Sequence, residues 1–145
     1  MDRGLAVLIM AVVGGFIALQ APINAGLGKA TGNFAAAAIS FAIGTVLLAA
    51  IVAVSGKTGG IGKVAHVEWY YLLGGALGAA YVFSALVLVT EIGAGPVAAA
   101  TVTGQLITSV ILDRLGVLGL DQEPITPATV LGVILLLAGT YLVVR

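Results

Sequence analysis

Residues 95–116 read GPVAAATVTGQLITSVILDRLG, an apolar run about as long as a helix needs to cross a bilayer, with a glutamine near its middle. At 1.5 Å rise per residue, Gln105 lies roughly 14 Å along the axis from Pro96, close to the midplane of a hydrocarbon layer about 30 Å thick. Thr101, Gln105, Thr108 and Ser109 recur at i, i+4, i+7 and i+8, so one side of this helix carries hydroxyls and an amide while the other is Ala, Val, Leu and Ile. An amide turned to lipid has nothing to bond. The stripe is therefore expected either to hydrogen-bond neighbouring helices or to line a polar cavity.

The rest of the composition points the same way. Hydrophobic residues make up 61% of the chain and charged residues 8%, with a mean hydropathy of +1.21, whereas soluble domains carry about 25% charged residues. Twelve charged side chains cannot solubilise a surface with this many long apolar runs, so the class is an all-α integral membrane protein. With no cysteine there are no disulfides, thiolate metal sites or cysteine nucleophiles. The formal net charge is zero and no basic patch exists for nucleic acid, so none is expected as a partner.

The first span is expected over residues 4–27. Its apolar stretch is too long for a signal peptide, and Pro22 falls where cleavage would be expected. Gln20 and Asn24 are one helical turn apart near its end, and Pro22 between them removes a backbone hydrogen bond, which makes this segment a candidate binding element. A short turn, GLGKATGN at residues 26–33, leads to a second span over 34–54, where Ser40 and Gly44 share a face. A serine in such a helix usually bonds back to its own backbone. The hydrophilic connection 55–68 holds the single histidine; His66 and Glu68 match half of a zinc-deaminase H-x-E pattern, but its cysteine half is missing, so a solvated loop is expected.

A third span, 69–90, opens on Trp69, Tyr70 and Tyr71, aromatic residues of the kind that anchor helices at headgroup level. Gly74 and Gly78 form a small-xxx-small pair, overlapped by Gly75 and Ala79, and are expected to pack closely against another helix. Tyr81 and Ser84 follow one turn apart near the midplane, where a phenol needs a partner. Glu91 lies in the short connection 91–95; if buried it could take up a proton, and if exposed it is merely solvated. Span four runs over 96–116, with Pro96 in its first turn. A loop containing Asp121 and Glu123 then leads to span five, 127–144. The whole chain, 1–145, reads as a single transmembrane domain of five helices.

In the order Gln20–Pro22–Asn24, ISFAIGT at residues 39–45, GGALGA at 74–79, and GQ at 104–105 followed by D-x-x-G at 113–116, the chain resembles the YdcZ-type branch of the drug/metabolite transporter superfamily. That resemblance covers nearly the whole chain. It implies a bacterial inner-membrane, multi-pass protein that forms half of a ten-helix inverted-repeat transporter. The chain departs from the related small multidrug transporters in having no membrane-embedded glutamate in helix one.

Two function classes follow. The favoured one is a secondary transporter or permease subunit, not an enzyme, for a small metabolite or drug-like solute. Gln20, Asn24, Tyr81, Ser84, Thr101 and Gln105 are its candidate substrate-binding groups, and no cofactor or metal is expected. The other is a non-transporting accessory or structural membrane subunit in which the same groups only join helices. Five helices put residues 3 and 145 on opposite sides of the membrane. Arg3, Lys57, Lys63 and Arg114 would share one side and Lys29 and Arg145 the other, a weak orientation bias. An antiparallel, dual-topology homodimer is therefore the expected assembly, with a paralogous partner chain of fixed opposite orientation as the alternative.

Overall fold

The computed structural model describes residues 2–145. They form five α-helices: α1 (Arg3–Thr31), α2 (Asn33–Val54), α3 (Leu73–Ile92), α4 (Ala94–Leu115) and α5 (Pro127–Val144), with short 3-10 helices at Thr58–His66 and Trp69–Leu72. All five are long and apolar enough to cross a membrane, the third when counted from Trp69. Helix α4 is the least apolar, with a mean hydropathy of 1.4 against 2.1 to 2.5 for the others, because it carries the threonines and Gln105. Large apolar side chains are exposed along every helix, as expected where the surrounding solvent is lipid.

Two compact units make up the chain, Met1–Thr90 and Glu91–Arg145. In the first, Asp2 caps α1 by accepting a hydrogen bond from the Leu5 N–H at 3.3 Å. The helix then runs through Pro22 to Thr31, so most of the segment 26–33 expected as a turn is helical. Glycine is permitted inside a membrane helix because leaving it would strand backbone groups in hydrocarbon. What ends α1 is Gly32, at φ 86° and ψ 150°, a conformation that only glycine adopts readily, and its N–H closes on the Gly28 carbonyl at 2.8 Å. One residue thus links α1 to α2 and makes them a helical hairpin.

Small residues line that hairpin. Ala21, Asn24, Ala25 and Gly28 form the buried stripe of α1, and Ala36 and Ala37 the buried positions of α2. At Gly28 a β-carbon would sit 2.8 Å from Asn33 Oδ1, so any larger residue there would push the Asn33 side chain aside at the start of α2. Helix α3 adds a small core of Ala37, Val82 and Leu86, with Tyr81, Phe83 and Val87 packed around it. Phe34 stacks on Phe83 at 4.5 Å between ring centroids. Before α3, Trp69, Tyr70 and Tyr71 pack ring against ring in the 3-10 turn rather than in the α-helix itself.

In the second unit α4 packs along α5. Gly116, at φ 61° and ψ 36°, terminates α4 in the left-handed conformation, and its N–H donates to the Leu112 carbonyl at 2.9 Å. The following loop folds back over that end: Gln122 Nε2 donates to the Arg114 carbonyl at 3.0 Å, and the Glu123 N–H to that of Asp113 at 2.8 Å. Thr126 then caps α5 through the Thr129 N–H, with Pro127 in the first turn.

Candidate functional site

A cleft of about 540 Å³ opens between α1 and α2. Phe16, Ile17, Ile23 and Leu27 of α1 and Ile43 of α2 give it apolar walls, and its polar groups are Gln20, Asn24 and Ser40. No ionisable side chain lines it. Counting helical rise from the Gly32 turn, Asn24 lies roughly 12 Å and Gln20 roughly 18 Å into the span, either side of mid-bilayer depth. The depth follows from the one-residue hairpin.

Asn24 is 5% exposed, and its Nδ2 is enclosed without a hydrogen-bond partner. Buried side-chain donors are almost always paired, so an orphan at this depth marks either strain or a partner outside the chain. Gln20 is exposed on the same helix, one turn earlier. Ser40, read from the sequence as a serine that bonds its own backbone, lines the cleft opposite them.

The other sequence-expected site residues fall elsewhere. Tyr81 is half-buried against the Ala37, Val82 and Leu86 core, and Ser84 is exposed on α3. A β-carbon on Gly78 would meet the Phe41 ring of α2 at 3.5 Å, whereas Gly74 and Gly75 face open space within one chain. Thr101 is half-buried, and Gln105, Thr108 and Ser109 are exposed along α4. Glu91 is exposed at the end of α3. Among the described residues no three of His, Asp and Glu converge to hold a metal ion.

The polar contact that joins helices in the second unit uses residues outside the expected stripe. Thr103, buried, meets Thr140 of α5, and each hydroxyl also reaches the Ala99 carbonyl. A threonine two residues from Gln105 was visible in the sequence, but its partner 37 positions away was not. Beside it, a separate pocket of about 220 Å³ between α4 and α5 is lined by Ile107, Val110, Ile134 and other apolar side chains, with Thr129 as its one hydroxyl.

Five helices long and apolar enough to cross a membrane define the class: an all-α, multi-pass membrane protein. The family model described as "Putative inner membrane exporter, YdcZ" matches residues 5–142, so the chain belongs to the YdcZ family of inner-membrane exporters. That family is one of transporters rather than enzymes, and its membrane is the inner membrane. No curated protein and no solved structure matches the chain.

Proposed function

We propose that the chain is the half-size subunit of a secondary transporter that exports a small metabolite or drug-like solute, working as an antiparallel homodimer of ten helices. Export follows the family description. The observation that carries the reading is the exposure of Gln105, Thr108 and Ser109 at mid-membrane depth on α4 of a single chain. Polar groups facing hydrocarbon are costly, so this face needs either another helix or a water-filled path against it.

A second copy supplies that cover. Transporter folds commonly place the substrate at the interface of two inverted repeats, and one chain contains a single set of five helices. Inverting the second copy recreates such a pair. Lys and Arg number four on one side and two on the other, and a bias this small allows insertion in either sense. The candidate groups that would offer the solute uncharged hydrogen bonds are Gln20 and Asn24 in the α1–α2 cleft, Tyr81 and Ser84 on α3, and, in the second unit, Thr101 and Gln105 on α4.

The test is reconstitution of this chain alone in sealed liposomes preloaded with a panel of small neutral and ionic solutes. Protein-dependent, saturable efflux of at least one solute is the expected result. Folded protein inserted in both orientations that moves none of them would contradict transport by the homodimer.

A further inference from the structure

A nine-residue 3-10 helix, Thr58–His66, connects α2 to the third span, and none of its residues is buried against the chain. Three residues complete a turn of such a helix, so side chains three apart stand in line. Ile61 and Val64 form one ridge, extended by Val67, whose N–H donates to the Val64 carbonyl at 3.3 Å. Lys57, Gly60, Lys63 and His66 form another, and the Gly60 N–H donates to the Lys57 carbonyl at 3.4 Å. The segment is amphipathic at its own period.

Both of its ends are tied to the membrane surface. Ser55 and Gly56 fold onto the end of α2 by donating to the Ile51 and Ala53 carbonyls at 2.9 Å and 3.3 Å, and only Val67 and Glu68 separate His66 from Trp69, where the next span begins. At a rise of about 2 Å per residue the helix is roughly 16 Å long, whereas the three steps from His66 to Trp69 reach at most about 10 Å. It cannot stand out into water and return in time. It must run along the headgroup layer, beside the Trp69, Tyr70 and Tyr71 cluster.

We propose that this segment is an interfacial lipid-binding element: Ile61, Val64 and Val67 sink toward the acyl chains, and Lys57 and Lys63 pair with the phosphates of anionic lipid headgroups, with His66 as a further donor. The inference does not depend on the transport reading. Place and charge name the occupant. Ile61 is 64% and Val64 50% exposed, a cost in water that immersion at the headgroup boundary removes. The basic ridge stands about 120° around the helix from them, so the lysines stay at headgroup level. Glu68, the one acidic residue between α2 and α3, lies beyond the helix, and lipid phosphate is the anion at this depth.

Trp69, the single tryptophan, reports on the lipids beside this segment without any substitution. The full chain is placed in nanodiscs of phosphatidylglycerol and phosphatidylcholine, with quenching bromines on the acyl chains of one lipid or the other. At equal mole fraction the anionic lipid should quench with a preference of roughly fivefold, about the effect of one basic residue at the surface. That preference should fall toward unity in the Lys57→Gln, Lys63→Gln double variant. The apolar ridge is read separately with single cysteines, since the native chain has none and Gly60 and Gly62 have open space for a side chain. Ile61→Cys and Val64→Cys should react several-fold more slowly with an impermeant thiol reagent than Gly60→Cys and Gly62→Cys, in discs holding one copy or two. Equal quenching by the two lipids, a preference that the lysine substitutions leave unchanged, or equal reactivity at all four positions overturns the proposal. Shielding that needs two copies would assign the ridge to a second protein and overturns it as well.

Discussion

The Thr103 and Thr140 hydroxyls meet at 2.5 Å across α4 and α5, and both lie within reach of the Ala99 carbonyl, at 2.9 Å and 3.2 Å. Two hydroxyl protons serve three contacts, so one threonine donates to Ala99 while the other donates to its neighbour or shares the carbonyl. Thr140→Val keeps the shape and removes the link. Interhelical hydrogen bonds in membranes average about 0.6 kcal/mol and reach about 1.7, and a loss in that range is expected in reversible unfolding in detergent. Because the two side chains act as a unit, the double variant with Thr103→Val should cost less than the sum of the singles. Strict additivity would show that they do not cooperate.

Gly78 faces the Phe41 ring with room for a β-carbon at 3.5 Å and little beyond it. Gly78→Leu therefore overpacks the contact between α2 and α3 and should destabilise the single chain by about 1–3 kcal/mol. Trimming the ring with Phe41→Ala should recover part of that loss. Gly74 meets nothing within one chain, so Gly74→Leu should leave unfolding unchanged and act, if anywhere, on dimerisation. Equal destabilisation by both leucines would contradict this division.

Gln105 is exposed, so Gln105→Leu removes nothing that holds one chain together. Its unfolding should stay within about 0.5 kcal/mol of the parent, the usual range for surface substitutions. Flux in liposomes should fall strongly. A variant that transports normally would remove Gln105 from the proposed pocket.

Gly32 joins α1 to α2 at φ 86° and ψ 150°. Gly32→Ala forces a β-carbon into a region that costs on the order of 1–3 kcal/mol, and should loosen the hairpin that builds the cleft. Unfolding should shift to correspondingly lower stability. Unchanged unfolding in this variant would show that the hairpin does not depend on glycine at the link.

The spans were legible because bilayer thickness fixes how long an apolar run must be, and residues 95–116 fit that length with Gln105 at the centre. The α1 boundary was harder to read. Glycines 26 and 28 look like a turn by local propensity, but the helix continues through them to Thr31, and the stop is set by Gly32. The candidate site was partly legible. Spacing placed Gln20 and Asn24 on one face, and the cleft joins them, but nothing local announced that Ser40 would stand across from them. On α4 the i, i+4 pattern drew attention to Thr101 and Gln105, while the hydroxyl that bonds α5 belongs to Thr103. That pairing depends on how two helices approach each other, which no single helix encodes.

The central claim is that two copies in opposite orientation build the transporter, and the absence of native cysteine makes it directly measurable. Thr58, at the start of the exposed 3-10 helix between α2 and α3, is the site for a single probe. Thr58→Cys protein, expressed alone, is exposed to an impermeant thiol reagent first in intact cells and then after lysis. Comparable fractions labelled from the outside and only after lysis are the predicted result. Labelling from the cytoplasmic side alone, in protein that still transports on its own, would contradict the antiparallel homodimer.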